Sequence, residues 1–394
     1  MTPLPITALA LASALGHGTG AAAKAMRQGR AGLRRNDFLD SALDTWIGRV
    51  PGLEEAPLRG ELAHFDCRSN RLAQLGLQQD GFEAAVARAA ARHGAQRIGV
   101  FIGTSSSGIL EAELAFRQRD PATGALPAAL GFRETYNLFS VSSFVQLRLG
   151  LNGPCCTVSS ACASSAKAFA AAQRAIAAGL CDAAVVGGVE TLCFTTLQGF
   201  AALELLSRLP CRPFDAERDG ISIGEAAAFA LLEKDGQAGA GLALLGCGES
   251  ADAFHMSTPH PEGLGAARAM RAALRAAGLQ PQEVDYLNLH GTGTRNNDTA
   301  ENAAVSTVFG ERLACSATKG WTGHTLGAAG AVEAVLSLLA LRDGFVPGTA
   351  NTRRADPQFG IRLALETAPQ ALRNAMSNSF GFGGSNCSLL FGRA

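Results

Sequence analysis

The sequence predicts an α/β fold in which closely packed helices cover a mostly parallel sheet. Apolar β-type runs alternate with helical segments. In Thr157 to Glu190, a short strand, a tight turn, an Ala-rich helix and a second strand follow one another. Composition agrees: the 394 residues are 47% hydrophobic with 46 glycines but only 2 Trp and 2 Tyr, which suits helices lying close to a sheet. A third observation is repetition. A reactive side chain, small residues, a long apolar helix and a closing glycine occur around Cys162 and again between Ser316 and Gly344, a hint of internal duplication. Length fits two domains or one large duplicated one.

In chain order, ITALALASALG reads as a first core strand. It is apolar enough to be tested as a signal peptide, but it lacks a basic lead, and GHGTG follows directly. That glycine-rich turn has the wrong spacing for a dinucleotide fingerprint and reads as a plain turn before a helix over Ala21 to Gln28. Residues 30–66 form a loop-rich excursion, and helical spacing then predicts one helix from Arg71 to His93. Arg97 to Ile102 is a buried strand ending in Gly103-Thr104-Ser105-Ser106-Ser107-Gly108, either a ligand loop at a strand end or an ordinary turn. Phe139 to Leu149 is helical, and Cys155 to Val158 leads into Ser-Ser-Ala-Cys. The helix after Cys162 runs to about Ala178, closed by Gly179, before a strand over Ala183 to Val186.

Cys162 therefore stands where a helix begins. Unpaired N–H groups and the helix dipole there favour a thiolate, the nucleophilic form of cysteine. A buried small side chain fits the same residue equally well. Further on, Arg212-Pro213-Phe214-Asp215 and Arg218-Asp219-Gly220 form a charged link into Gly224-Glu225 and a strand over Ala226 to Leu232. A second half follows, with a strand from Leu242 to Leu245, a helix from Gly265 to Ala277 and a strand from Tyr286 to Leu289. That strand delivers His290 into Gly-Thr-Gly-Thr. Ser316 to His324 sets a second histidine before a helix over Gly327 to Leu341, and residues 377–386 make a glycine-rich turn between two β-type runs. A cysteine nucleophile needs a proton manager and an oxyanion stabiliser, which two imidazoles and glycine-turn N–H groups can supply.

Zero formal net charge removes any bulk electrostatic case for nucleic acid or an anionic membrane. The ten cysteines show no C-x-x-C pair and no clustering with histidine, so neither a metal site nor a disulfide framework is expected, and a reducing, cytoplasmic compartment fits. No apolar run is long enough to span a bilayer.

The segments S-A-C-A-S-S, N-L-H-G-T-G-T, T-K-G-W-T-G-H-T-L-G-A-A-G-A-V-E, N-S-F-G-F-G-G-S-N and R-P-F-D-A-E-R-D-G occur in order along nearly the whole chain. Together they strongly resemble β-ketoacyl-acyl-carrier-protein synthases of the elongating kind. The resemblance implies a thiolase-like five-layer αβαβα fold of two similar halves, divided here as 1–245 (with the cysteine) and 246–394 (with both histidines and the glycine-rich turn). It implies a decarboxylative Claisen condensation without a cofactor. Cys162 would hold the acyl group, while His290 and His324 assist decarboxylation. Lys319 and Glu333 would form a supporting ion pair. The N–H groups of Cys162 and Phe382 would form the oxyanion hole, with Phe382 as gate. The implied partners are acyl carrier protein, bearing acyl and malonyl groups on its phosphopantetheine arm, and a second subunit. That subunit would be an identical chain, a related synthase or a chain-length factor.

Departures from the housekeeping pattern are Arg295 where proline is usual and Asn297 where glycine is usual, with Asp298 and Glu301 retained. Ser105, Ser106 and Ser107 stand where larger aliphatics often face the acyl pocket, which implies a wider or more polar channel. These features resemble synthases of aryl-polyene or type II polyketide-like pathways. Arg68 and Arg71 sit where the family places part of a basic carrier-protein dock. The alternative is a partner-dependent or non-catalytic chain-length-factor-like subunit, although such factors replace the cysteine. Degradative thiolases carry a second cysteine, for which Cys387 is the candidate, but the two histidine motifs argue against them.

Overall fold

Strand and helix succeed one another twice in the same order, and the strands pair in the same order both times. A computed structural model of the chain describes residues 1–128, 130–235 and 241–393. The first set of strands is β1 (Leu4–Ser13), β2 (Ile98–Gly103), β3 (Cys155–Val158), β4 (Ala183–Glu190) and β5 (Ala226–Glu233). The second is β6 (Leu242–Ala251), β7 (Tyr286–Leu289), β8 (Ala314–Ala317), β9 (Asn374–Gly381) and β10 (Ser385–Arg393). Across the sheet these run β3-β2-β4-β5-β1 and β8-β7-β9-β10-β6, the same permutation in each half. β1 pairs with β6 at Leu4–Leu244 and Pro5–Ala243, joining the half-sheets.

The sheet is mixed, which corrects the expectation of a mostly parallel one. In each half two neighbouring pairs are parallel and two antiparallel. The β9–β10 pair is a hairpin whose tight turn needs the left-handed backbone of Gly383 and Gly384 (φ +82° and +74°), and a hairpin can join only antiparallel strands. The strand expected over Leu242 to Leu245 runs on to Ala251, so a division between residues 245 and 246 would cut β6.

Period-two alternation builds the layers. Along β5, Ala226, Ala228, Ala230 and Leu232 face one core, while Ala227, Phe229 and Leu231 face another. The first core is central. It contains helices α1 (Ser164–Ala177) and α2 (Ala329–Asp343), which lie between the half-sheets. Helices Arg68–Leu77, Phe82–His93 and Ser140–Arg148 cover the outer face of the first half-sheet. Helices Leu264–Ala277 and Arg295–Phe309 cover the outer face of the second. The result is the five-layer αβαβα thiolase-like arrangement. α2 is buried on every side from Ala329 to Leu341, which explains why it is apolar all round.

The helix expected from Arg71 to His93 is two helices. Asp80 and Gly81 adopt positive φ (55° and 68°) and break it. The turn frees the Asp80 carboxylate to accept hydrogen bonds from the Thr19 N–H and hydroxyl (2.8–3.0 Å) at the start of helix Thr19–Arg27. Helical periodicity continues through such a break, so spacing alone does not reveal it. Among the described residues no helix is long and apolar enough to cross a membrane.

α1 and α2 touch at Gly330, where an added Cβ would lie 2.5 Å from Ala166 N. Gly330→Val should therefore push the central helices apart and destabilise the fold by about 1–3 kcal/mol, the usual cost of overpacking. Denaturant unfolding checks this, and an unchanged midpoint would contradict the close approach.

Candidate active site

Three segments from the two halves converge on one sulfur. After β3 the chain turns through Ser160 and Ala161, whose φ of 47° is unusual for a residue with a side chain. Ser164 holds the turn: its hydroxyl donates to Ala161 O (2.6 Å) and accepts from Ser160 N–H (2.8 Å). Cys162 follows, 7% exposed and two residues before α1 begins. The β9–β10 hairpin backs against this turn. A Cβ on Gly381 would lie 3.0 Å from Ser160 O and 3.2 Å from Cys162 N, so glycine permits the approach.

The histidines come from the second half. His290 follows β7, and its N–H and that of Gly291 both donate to the Glu301 carboxylate (2.8 Å each). Asn378 on β9 donates to the same carboxylate (3.1 Å). His324 follows a one-turn helix, Lys319–Thr322, and the left-handed Gly323 (φ 76°). Its Nε2 lies 3.0 Å from Cys162 Sγ. The two imidazoles meet edge to face, with ring centroids 5.4 Å apart.

Lys319, 1% exposed, connects them. Its ammonium donates to Glu333 Oε1 on α2, to His290 O and, over 3.1 Å, to His290 Nδ1. An ammonium has only donors, so His290 Nδ1 is the acceptor and the ring proton sits on Nε2. At His324 the Leu326 N–H donates to Nδ1 (3.3 Å), which likewise leaves the proton on Nε2. Burial, then the Lys319 charge, holds both imidazoles well below the ordinary histidine range, so both are neutral at pH 7. The Cys162 sulfur and one nitrogen of each histidine lie within 4.8 Å of one another. With both Nε2 atoms protonated, this trio presents hydrogen-bond donors to a guest.

The thiol itself corrects the expectation of easy ionisation. Burial pushes Cys162 up to about 12, and the carboxylates Glu190 and Glu333 push the same way. Lys319 and the Phe382 N–H pull it down without overcoming the loss of solvent. The resting residue is a thiol.

The trio lines a cavity of about 330 Å³, lined also by Phe200, Thr292, Thr294, Arg295, Phe380 and Phe382. Phe382 is 38% exposed and packs against Phe200 with ring centroids 5.8 Å apart. Ser105, Ser106 and Ser107 do not line this cavity. The first two direct their hydroxyls onto Glu190, and Ser107 donates to Asn137 O (3.2 Å).

Arg68 is corrected as well. It is 7% exposed, donates two bonds to the buried Glu225 carboxylate (2.7 and 3.0 Å) and pairs with Glu54 (2.8 Å), so it is no surface dock. Arg71 is engaged by Asp66 (2.5–2.6 Å). A run of spacing cannot tell a surface arginine from one whose carboxylate arrives 157 residues later. Cys387 is buried on β10 and does not line the cavity. Sequence reasoning also missed Glu190. Its signal was a carboxylate closing an otherwise apolar strand, a placement that burial tolerates only with partners.

A duplicated five-layer frame with a cysteine turn in one half and two imidazoles in the other defines a protein of the thiolase-like class. The chain belongs to the β-ketoacyl synthase family: residues 1–238 match the beta-ketoacyl synthase N-terminal domain and residues 242–353 its C-terminal domain. It is 43% identical over 270 residues to the mitochondrial 3-oxoacyl-(acyl-carrier-protein) synthase of Arabidopsis thaliana, covering 64% of this chain and 59% of that one. It is 41% identical over 249 residues to 3-oxoacyl-(acyl-carrier-protein) synthase 2 of Mycobacterium tuberculosis, covering 59% of this chain and 60% of that one. The matched stretches thus span about three fifths of these curated relatives. Among solved structures, it superposes over its whole length on 98% of a chain in the ketosynthase–chain-length-factor complex of Xenorhabdus doucetiae (TM-score 0.91, 39% identity). A beta-ketoacyl synthase from Burkholderia phymatum matches with TM-score 0.87 and 30% identity, each chain fully covered.

Breaking the buried Arg68–Glu225 pair with Arg68→Ala should cost about 3–5 kcal/mol, because a buried carboxylate loses its partner. Arg71→Ala, at a part-exposed pair, should cost below about 1 kcal/mol. Parallel urea melts check both, and equal small losses would place Arg68 at the surface.

Proposed function

We propose that the protein is a condensing enzyme that lengthens an acyl chain by two carbons, with Cys162 as nucleophile. The observation that carries this reading is the meeting of the Cys162 sulfur with two neutral imidazoles, each carrying its proton on Nε2, at one cavity.

In the first half-reaction the Cys162 sulfur attacks the thioester of an acyl-carrier protein. Its C–S bond forms, the carrier's C–S bond breaks, and the Cys162 proton ends on the departing carrier thiol. In the second, a malonyl-carrier protein loses CO2, and its electron pair becomes a thioester enolate. The Nε2–H groups of His290 and His324 donate to that enolate oxygen, a charge they meet better than water does because they are already oriented. The carbanion attacks the acyl–Cys162 carbonyl. The N–H groups of Cys162 and Phe382 hold the tetrahedral oxyanion, and collapse releases the β-ketoacyl product and a thiolate that takes up a proton. Lys319 orders His290 through Nδ1, and Glu333 holds Lys319 in place.

Acyl carrier protein is the proposed substrate bearer, and a related subunit the proposed companion. The solved complex from Xenorhabdus doucetiae pairs a ketosynthase with a chain-length factor, which supports a heterodimer here. The acyl group belongs to a specialised polyene or polyketide-like class in this reading, on the strength of Arg295 and Asn297. Ten unpaired cysteines among the described residues support a reducing compartment such as the cytoplasm.

Intact-mass spectrometry tests the reading with saturated, polyunsaturated and aryl-polyene acyl-carrier proteins, alone and with malonyl-carrier protein. Wild type should gain the acyl mass and then form the β-ketoacyl product, whereas Cys162→Ala should gain nothing. Absence of acylation with every donor, even after addition of candidate partner subunits, would leave a non-catalytic subunit.

The electrostatics give a second expectation. The Lys319 cation favours the Cys162 thiolate, so Lys319→Met should move the pH profile of iodoacetamide alkylation to higher pH. A profile that stays put or moves to lower pH would remove Lys319 from the field at the sulfur.

A further inference from the structure

Glu190 closes β4 with a carboxylate that is wholly buried and has no role in the chemistry derived above. Every partner it has is a donor. Ser105 N–H (2.7 Å) and hydroxyl (2.5 Å) donate to Oε2, and Gly327 N–H donates to the same oxygen (2.9 Å). Ser106 N–H (3.0 Å) and hydroxyl, with the Thr104 hydroxyl at 3.4 Å, serve Oε1. Burial pushes the carboxyl up while these donors pull it down.

The donors come from separate parts of the chain. Thr104 to Ser106 follow β2, Glu190 ends β4, and Gly327 lies three residues beyond His324. The approach is close: a Cβ on Gly327 would lie 2.4 Å from Glu190 Oε2 and 2.6 Å from Ser105 N. Gly188, two residues before Glu190, leaves similar room, since a Cβ there would meet Ala328 Cα and Ser165 Cβ at 2.7 Å. One carboxylate thus ties the half carrying Cys162 to the segment that carries His324.

We propose that Glu190 is a positioning residue of the condensing site, whose carboxylate clamps the Ser105–Ser106 loop and the Gly327 turn together and so sets His324 against Cys162. A buried carboxylate suits this task because its two oxygens accept several hydrogen bonds at once. A side-chain amide of the same shape would turn N–H groups toward N–H and O–H donors. The backbone of His324 is held separately, by its N–H to Ser222 O (2.7 Å) and by Gly224 N–H to its own carbonyl (2.9 Å), so losing the clamp slackens the site without unfolding it.

This inference rests on the condensing reading, and the experiment separates the two. Steady-state condensation is measured for wild type, Glu190→Gln and the double variant Ser105→Ala/Ser106→Ala, with thermal melts of each. The double variant removes two hydroxyl donors but keeps the carboxylate and its backbone bonds. For Glu190→Gln, kcat should fall at least about tenfold with KM for the acyl-carrier protein within about twofold, since losing a group that orients a reacting side chain typically costs about 10–100-fold. The double variant should show a smaller fall of the same kind. Folded Glu190→Gln with wild-type kcat, or with its loss confined to KM, would overturn the assignment. So would a double variant impaired more than Glu190→Gln, which would put the effect in the serines themselves. A wild type that forms no product would instead defeat the condensing reading.

Discussion

The site depends on one buried ammonium. Lys319 carries its charge into a nearly solvent-free interior, and all three of its donors are used, on Glu333, on the His290 carbonyl and on His290 Nδ1. Such a charge is costly unless paired, and Glu333 on α2 supplies the pair from a helix buried on every side from Ala329 to Leu341. Because an ammonium cannot accept, it dictates the tautomer of His290. Its field also helps keep both imidazoles neutral and opposes the rise in the Cys162 pKa.

The duplicated topology explains where this happens. Each half-sheet repeats the same strand order, and α1 and α2 both lie in the core between the two. Cys162 stands before α1 and His324 before α2, so helices that are related by pattern bring unlike chemistry to one point. The close approach is made by residues without side chains, Gly330 between the helices, Gly327 at the Glu190 clamp and Gly381 behind the cysteine turn. The abundance of glycine and alanine is thus a packing requirement at the seam.

Much of this was legible in order along the chain. Cys162, His290, Lys319, His324 and Glu333 sit in compact local motifs, and the strands Tyr286–Leu289 and Ala226–Glu233 announced themselves by apolar runs between turn signals. The break at Asp80–Gly81 was hidden, because the second helix resumes the same apolar spacing and the reason for the break is Thr19, sixty-one residues away. Arg68 read as a surface charge for the same reason: Glu225 is distant in sequence and adjacent in space.

The sequence by itself determined the family, the residue types of the site and the alternation that makes the layers, since each of these is written in local spacing. Only the tertiary structure decided the protonation of those residues. A helix start favours a thiolate, yet burial outweighs it and leaves Cys162 a thiol. Only the fold shows Glu190 as a junction of three segments, with the serine loop donating to its carboxylate. Desolvation and long-range hydrogen bonds depend on what surrounds a group, and those surroundings come from parts of the chain that local spacing does not connect.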